Sequence, residues 1–158
     1  MGRSLMRKLY TFFSVIVILL AAIAYNSSAT SENELKDGYY TAEAADYRYG
    51  WKEFLSIYVN NGRIVMVEYD ASNSAGFMKS WDLDYMRLMN KIDGNYPNKY
   101  TRNYASELVA RQRAEGIDAM SGATDSFHSF KRLAEAAIAQ ARMGDRKVAF
   151  VKIPQEEH

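Results

Sequence analysis

Residues 51–69, WKEFLSIYVNNGRIVMVEY, contain two runs of strand-forming residues separated by an Asn-Asn-Gly turn at 60–62. In the first run Leu55, Ile57 and Val59 share one face, which is the two-residue period of a strand. An Asn-Gly pair favours a tight hairpin turn because both central residues of that turn adopt positive φ. The segment therefore predicts an antiparallel β-hairpin, around which the rest of the fold is arranged.

Further strands and helices are predicted on both sides of this hairpin. Residues 38–46, GYYTAEAAD, are rich in strand formers and predict a first strand. Apolar residues at helical spacing predict three helices, over 82–92, 101–114 and 125–143. Residues 147–153, KVAFVKI, predict a short last strand.

The expected helix ends follow from capping preferences. Asp82 or Ser80 is the expected N-cap of the first helix, because short polar side chains accept hydrogen bonds from free N–H groups there. Gly116 and Gly144 are expected to end the second and third helices. The order of elements predicts an α+β fold, a small antiparallel sheet with helices packed on it, preceded by an N-terminal hydrophobic helix.

The composition excludes several classes of site. The chain has 158 residues, with 20 basic and 19 acidic side chains, two histidines and no cysteine. This length suits one domain of ordinary size. Without cysteine there are no disulfides, Cys-ligated clusters or zinc sites, Cys nucleophiles or lipids attached to cysteine. The net charge of +1 gives no signal for nucleic-acid binding. With no cysteine and two histidines, any redox or catalytic chemistry depends on a borrowed group.

A basic start and an apolar stretch open the chain. Arg3, Arg7 and Lys8 precede an apolar core over Leu9–Ala24. Residues 1–29 therefore predict either a cleaved signal peptide or an uncleaved membrane anchor. Both interpretations stay open, because the apolar core is slightly long for a signal peptide and slightly short for a spanning helix of about 17–25 residues.

The folded domain is predicted to begin soon after this stretch. Residues 30–37 are polar and small, and predict a linker. Residues 38–154 then form the domain. Because the positively charged N-terminus is expected to stay in the cytoplasm, this domain is expected to lie outside it. The protein is then a single-pass membrane protein, or a secreted protein if the signal is cleaved.

One loop combines residue types that suit chemistry. Residues 116–126, GIDAMSGATDS, lie just before the last predicted helix. Gly122 permits a positive φ, and Thr124 or Asp125 is a suitable N-cap. A helix start also presents free N–H groups to a phosphate. From these residues alone, a plain turn with a cap and a phosphate site both remain open.

A resemblance adds to this interpretation. The pattern Asp118-x-x-Ser121-Gly122-Ala123-Thr124 resembles the flavinylation motif of the FMN-binding domain family, which includes flavin subunits of the Rnf and sodium-pumping quinone reductase complexes and proteins of extracellular electron transfer. The resemblance implies that a flavin transferase joins FMN through its phosphate to Thr124. It also implies that Ser121, Gly122 and Ala123 shape the loop, and that Asp118 is the acidic position that opens the motif.

The resemblance is not confined to the motif. It covers about residues 37–143, from the first strand through the hairpin to the Ala-rich last helix. Asp125 is a departure, because small or hydroxyl residues are common at that position. A carboxylate there would lie near the flavin phosphate, where it weakens non-covalent phosphate binding.

The function implied is that of an electron carrier. We expect an extracytoplasmic, membrane-associated flavoprotein that carries electrons through FMN, which supplies the redox chemistry. A quinone or a flavoprotein reductase in the membrane would be its electron donor. We expect no catalytic residue, no metal and no nucleic-acid partner. The alternatives are a flavin-dependent reductase acting on a small acceptor, and a surface interaction module that keeps the fold without flavin.

Other residues near the motif have structural interpretations as well. His128 shares a helix face with charged residues, so we expect it to be solvated. Trp51 and Trp81 can stack on a flavin, although aromatic residues in such segments more often pack in a core or on a sheet. In the resembling family the loop after the hairpin, here residues 73–79, approaches the flavin.

Overall fold

The computed structural model describes residues 12–21 and 34–154, in two units, Met1–Glu34 and Leu35–His158. In the first unit, residues 12–21 form helix α1. Among the described residues, no helix is both long enough and apolar enough to cross a membrane. The predicted apolar core Leu9–Ala24 extends past residues 12–21 at both ends, so its remainder lies outside the described residues.

The described residues of the second unit form four strands and three longer helices. Its elements in chain order are β1 (Gly38–Ala44), β2 (Lys52–Asn60), β3 (Arg63–Ser72), a 3₁₀ turn (Lys79–Trp81), α2 (Leu83–Asp93), α3 (Pro97–Arg111), α4 (Thr124–Met143) and β4 (Ala149–Val151).

The predicted hairpin is confirmed as β2 and β3. Leu55 pairs with Tyr69 and Ile57 with Val67, in antiparallel register. The turn residues Asn61 and Gly62 have φ values of 52° and 69°, which are the two positive φ angles expected of an Asn-Gly turn. Strand β3 continues to Ser72, beyond the predicted end at residue 69.

The strand order of the sheet is β3-β2-β1-β4. Strand β1 runs antiparallel to β2 and parallel to β4, with Glu43 opposite Phe54 on one side and Phe150 on the other. The α+β fold class is therefore confirmed, and the short parallel strand at the edge makes the sheet mixed rather than purely antiparallel.

Helices α3 and α4 cover one face of the sheet. Helix α3 packs on β3, and α4 packs on β1 and β2. The apolar residues at helical spacing in 125–143 form one stripe of α4, and six of them are buried: Phe130, Leu133, Ala134, Ala137, Ile138 and Ala141. The core consists chiefly of Tyr40, Leu55, Ile57, Ile64, Tyr69, Tyr104, Leu108, Phe130, Leu133 and Ile138. Burial of this apolar surface is the main favourable contribution to folding.

Two helix ends differ in how well the sequence predicted them. Asp82 is confirmed as the N-cap of α2, where its side chain accepts a hydrogen bond from the N–H of Tyr85 at 2.9 Å. Helix α3, by contrast, ends at Arg111, and Gln112 rather than Gly116 adopts the left-handed cap conformation. The Gln112 side chain bonds both the N–H and the C=O of Ile64, each at 2.8 Å. These bonds to β3 offset the cost of a positive φ at a residue other than glycine.

Candidate functional site

The predicted site residues lie in the loop between α3 and α4. Asp118, Ser121, Gly122 and Thr124 are exposed, whereas Ala123 is buried. Ser121 to Thr124 come together as a turn that leads into the first residue of α4. Asp118 lies earlier in the same loop, and the contacts that hold the turn come from other residues.

Gly122 occupies a position that only glycine fits. Its φ is +73°, in the left-handed region that disfavours side chains. A Cβ at this position would lie 2.8 Å from both the Cβ and the carbonyl oxygen of Asp93, and 3.4 Å from the Cβ of Asn95. The positive φ that the sequence predicted at Gly122 is therefore confirmed, and the structure adds that the loop passes directly against the C-terminal end of α2.

Two buried polar residues hold the loop from below. Asn95 donates through Nδ2 to the carbonyl of Ser121 at 2.9 Å. The hydroxyl of Tyr104 accepts from the N–H of Met120 at 3.0 Å and donates to the carbonyl of Ala123 at 3.4 Å. Buried polar groups with satisfied hydrogen bonds fix a conformation, because breaking them leaves unpaired groups in the interior. The motif is therefore presented on a pre-formed loop.

The predicted N-cap of α4 was wrong. Helix α4 begins at Thr124, and its N-cap is Ala123, which offers no side-chain hydrogen bond. Ala123 is buried and its N–H is already used in a turn to the carbonyl of Met120 at 3.0 Å. Packing of this small residue in the core, together with the Gly122 turn, fixes the start of the helix one residue earlier than capping preference indicates.

This start leaves the Thr124 side chain exposed on the first turn of α4. The adjacent Asp125 carboxylate lies 3.8 Å from the Arg48 guanidinium, in an ion pair. An acidic residue in the first turn interacts favourably with the positive end of the helix dipole. The nearby guanidinium partly offsets the negative charge of Asp125.

An open cleft lies beside the first turn of α4. It encloses about 420 Å³ of empty space, mouth included. The turn that carries Arg48 and Trp51 forms one wall, closed by hydrogen bonds of 2.7 and 2.9 Å between their backbones. The lining residues are Arg48, Tyr49, Trp51, Glu53, Lys79, Asp125 and Ser126.

Lys79 is held at this cleft by a buried carboxylate. Asp70 is almost fully buried and accepts hydrogen bonds from the N–H of Ala71 at 2.8 Å and the N–H of Ser80 at 3.2 Å, and from the Ser80 hydroxyl. These bonds fix the 3₁₀ turn that carries Lys79. Desolvation by burial lowers the pKa of Lys79, and Glu53 and Asp70 oppose this by raising it. The Lys79 ammonium nitrogen also lies 5.3 Å from the centre of the Tyr85 ring.

Tyr69 connects Glu53, which lines the cleft, to the first turn of α4. The hydroxyl oxygen of Tyr69 lies 2.7 Å from Glu53 Oε1 and 2.7 Å from the carbonyl oxygen of Ser126. Burial, and then the charge of Glu53, raise the pKa of Tyr69 well above its ordinary value. The phenol therefore keeps its hydrogen at neutral pH.

The remaining predicted residues divide between the cleft and the surface. His128 is exposed, as expected, and with Arg48 and Arg132 lines a second depression. Trp51 lines the cleft, whereas Trp81 is 64% exposed and lies outside its lining. Of the loop 73–79, Lys79 is the member that lines the cleft.

Lys79 lies in the loop 73–79, which the resemblance singled out, but sequence patterns gave no indication of several other residues that build this site. Asn95 lies in a predicted turn, and Tyr104 lies on the predicted apolar face of α3. Neither position indicates a role in a site. Arg48, Glu53 and Lys79 come from three separate segments, so no local spacing connects them. The hairpin register places Glu53 opposite Ala71, near the end of β3. That pairing alone could have indicated that β2 lies close to the loop after β3.

Comparison with known proteins identifies relatives without naming a cofactor. No protein-family model matches the chain. The 15 kDa lipoprotein of Treponema pallidum (strain Nichols) is 34% identical over 137 residues, which are 86% of this chain and 92% of the relative. A crystal structure of a Clostridium perfringens protein is 35% identical, covers 76% of this chain and 99% of its own, and superposes with a TM-score of 0.73. The chain therefore belongs to the family of the 15 kDa lipoprotein of Treponema pallidum.

Proposed function

We propose that this protein is an extracytoplasmic, membrane-associated electron carrier whose FMN is joined through its phosphate to Thr124. The observation that carries the proposal is the Asp118–Thr124 motif on a pre-formed loop, with an exposed threonine hydroxyl on the first turn of α4. A residue that another enzyme must modify has to be accessible, and Thr124 meets that requirement. FMN, when bound, supplies reversible uptake of electrons.

The surroundings of Thr124 suit a phosphodiester. A diester keeps one negative charge, and the first turn of α4 offers free N–H groups and the positive end of the helix dipole. Arg48 and Lys79 add two cations to the adjacent cleft. Arg48 also pairs with Asp125, which offsets the carboxylate that departs from the motif. Glu53 and Asp125 line the same cleft and balance these two cations, so the support for a phosphate comes chiefly from the start of α4.

The cleft also suits the flavin ring. Tyr49 and Trp51 provide aromatic surface for stacking, and Lys79 and Arg48 provide positive charge for a ring that gains electrons. The cleft is open, so a ring bound there keeps an edge accessible to a redox partner. A covalent tether holds such a weakly enclosed ring at an effective concentration of order millimolar.

Membrane association is supported by two independent features. The Treponema pallidum relative carries the name lipoprotein. This chain contains no cysteine, so a lipid on cysteine is not available to it. Its N-terminal segment, with Arg3, Arg7 and Lys8 before an apolar stretch, offers another means of attachment, with the domain outside.

A reporter fused after His158 that works only outside the cytoplasm should be active, and activity of a strictly cytoplasmic reporter would contradict this topology.

The attachment is tested by co-expression with a flavin transferase. The wild type, Thr124→Ala and Thr124→Ser are exported, denatured and examined for flavin fluorescence in a gel. We expect fluorescence in the wild type, none in Thr124→Ala and at least partial fluorescence in Thr124→Ser, which keeps the hydroxyl. Ser106→Ala is the matched control, since it removes an exposed hydroxyl on α3 outside the motif and should leave attachment unchanged. A colourless wild type would favour the unmodified interaction module instead.

The position of the ring is tested separately, in the native protein. Stacking on tryptophan quenches flavin fluorescence, so Trp51→Ala should brighten the native flavin. Trp81→Ala removes the chain's other tryptophan, which lies outside the cleft lining, and should leave the native fluorescence unchanged. Equal effects of the two substitutions would contradict the placement of the ring, without bearing on attachment at Thr124.

A further inference from the structure

A row of three largely apolar side chains crosses the sheet on the face opposite the core. In the strand register Tyr39 lies opposite Tyr58, and Tyr58 lies opposite Met66. The rings of Tyr39 and Tyr58 stack, with their centroids 4.5 Å apart. Tyr39 is 60% exposed and Met66 is 51% exposed. Isolated exposed apolar residues are ordinary, whereas neighbouring ones are typical of a surface that meets a partner.

Three segments meet at the end of the sheet where this row lies. They are the start of β1, the hairpin turn and the end of α4. Asp37 Oδ1 accepts a hydrogen bond from the N–H of Gly62 at 3.0 Å, and Arg146 donates to the carbonyl of Asp37 at 3.2 Å. Lys36 donates through Nζ to the carbonyl of Met143 at 3.0 Å. These bonds hold the segments together, so their charged side chains lie at one end of the domain.

Positive charge predominates at this end. The exposed cations on the three segments are Lys36, Arg63, Arg142, Arg146 and Lys147. The acidic residues on them are Glu34, Asp37 and Asp145. Asp37 and Asp145 each accept a hydrogen bond from a backbone N–H, at 3.0 and 3.1 Å. In the described part of the chain, none of the ion pairs includes one of these cations, so their charge is available to an anionic surface.

We propose that this part of the domain docks on the surface of an anionic phospholipid bilayer. We call it the hairpin corner, and it consists of the row Tyr39, Tyr58 and Met66 together with the exposed cations of the three segments. Tyrosine suits the boundary between lipid and water, because its ring is apolar and its hydroxyl is polar. Lysine and arginine attract anionic headgroups, and each one near the surface changes binding about fivefold.

The position of the hairpin corner in the chain favours a membrane as the partner. Ten residues separate Ala24, the end of the predicted apolar core, from Leu35. A fully extended chain of that length spans at most about 36 Å, so an apolar segment held in a membrane keeps the hairpin corner near its surface. A tethered contact needs little affinity of its own, because the tether supplies a high effective concentration. The inference rests on the membrane association in the proposed function, and it does not depend on flavin.

Paired charges further along the same face confine the contact to the hairpin corner. By the two-residue period of a strand, Glu43 and Glu68 share the face of the row. Glu43 pairs with Lys52 at 3.0 Å, and Glu68 pairs with Arg102 at 2.8 Å. These pairs leave that part of the face without an excess of positive charge, so it offers an anionic surface no further attraction.

Docking at the hairpin corner also decides which end of α4 meets the lipid. The bond from Lys36 to Met143 places the corner at the C-terminal end of this helix, whereas Thr124 is its first residue. A helix of 20 residues is about 30 Å long. The cleft beside Thr124 therefore lies at the other end of α4 from the docked surface, open to a partner in water.

The contact is tested on the full-length protein, made without a flavin transferase and incorporated into vesicles. The chain has no cysteine, so Met66→Cys and, as the matched control, Ser74→Cys each provide one site for a spin label. Ser74 is exposed in the loop that follows the far end of β3. On vesicles that contain phosphatidylglycerol, the label at residue 66 should become more accessible to oxygen, which enters lipid, and less accessible to a water-soluble nickel chelate. On vesicles of phosphatidylcholine alone, and at residue 74 on either kind of vesicle, the label should stay accessible to the nickel chelate.

The role of charge is tested by removing two cations from the hairpin corner. Arg63→Gln combined with Lys147→Gln should lower the ratio of docked to undocked label by about fivefold for each cation removed. Lys91→Gln removes an exposed cation from the last turn of α2 and should leave that ratio unchanged. Equal losses in the two proteins would overturn the proposal.

Two further outcomes would also overturn docking on lipid. One is equal access of the nickel chelate to residue 66 on both kinds of vesicle. The other is loss of that access without vesicles, together with spin–spin broadening, which would assign the row to a second copy of this chain. Because no flavin is present, each result is independent of attachment at Thr124.

Discussion

Replacement of Gly122 by alanine tests whether the motif loop is held in one conformation. The added methyl group lowers the free energy of unfolding in two separate ways. At φ +73° a residue with a Cβ is disfavoured, by about 1–2 kcal/mol for the left-handed conformation. The Cβ also lies 2.8 Å from the Cβ and the carbonyl oxygen of Asp93, and relief of such overpacking costs about 1–3 kcal/mol. We therefore expect Gly122→Ala to lower the free energy of unfolding by about 2–5 kcal/mol.

Gly76→Ala separates the two costs. Gly76 has a comparable φ of +81°, but a Cβ there would meet nothing within 4 Å. In this variant the free energy of unfolding should fall by only about 1–2 kcal/mol, because only the backbone conformation is unfavourable. Urea unfolding of the wild type and both variants, with equal slopes against urea, gives the difference directly. Equal losses in the two variants would refute a close contact between the loop and the end of α2.

Three further outcomes follow from the same structure. Asn95→Ala removes the hydrogen bond to Ser121 and should cost about 1–3 kcal/mol in urea unfolding, whereas exposed Asn98→Ala should cost about 0.5 kcal/mol or less. Thr124→Ala should also change stability by about 0.5 kcal/mol or less, because Thr124 is exposed and is not the cap of α4; a loss above 1 kcal/mol would contradict this. Burial raises the pKa of Tyr69 and Tyr100, so the unfolded chain loses these protons first as pH rises above about 10. Stability should be fully present below that pH and fall above it, and Tyr100→Phe should lessen the fall in a pH series of thermal melts.

The parts of the fold that the sequence predicted depend on local chemistry. The hairpin follows from a two-residue period and an Asn-Gly turn within 51–69, and Asp82 caps α2 through a residue three positions away. The apolar stripe of α4 was visible for the same reason. Each of these features is determined by neighbours in the chain, so a pattern in one window suffices.

The errors arose where distant residues decide the local conformation. Gln112 replaces Gly116 as the cap of α3 because its side chain bonds Ile64, which is 48 residues earlier. Ala123 replaces Thr124 as the N-cap of α4 because it packs in the core behind the Gly122 turn. Propensity scales describe the isolated segment, and tertiary contacts override them.

The candidate site, too, has a part that local sequence predicts and a part that depends on distant residues. The motif residues were visible in the sequence as one short run, but the cleft beside them was not. Arg48, Glu53 and Lys79 meet only through the sheet and the 3₁₀ turn that the buried Asp70 fixes. A resemblance can indicate the attachment residue, whereas the charges around it become visible only in three dimensions.

The most direct measurement is the mass of one peptide. Trypsin cuts after Arg113 and Lys131, which releases residues 114–131 with Thr124 and three serines. From protein exported together with a flavin transferase, we predict that this peptide is heavier by one FMN less one water, and that fragmentation assigns the added mass to Thr124. An unmodified peptide, or the added mass on Ser121, Ser126 or Ser129, would contradict covalent FMN at Thr124.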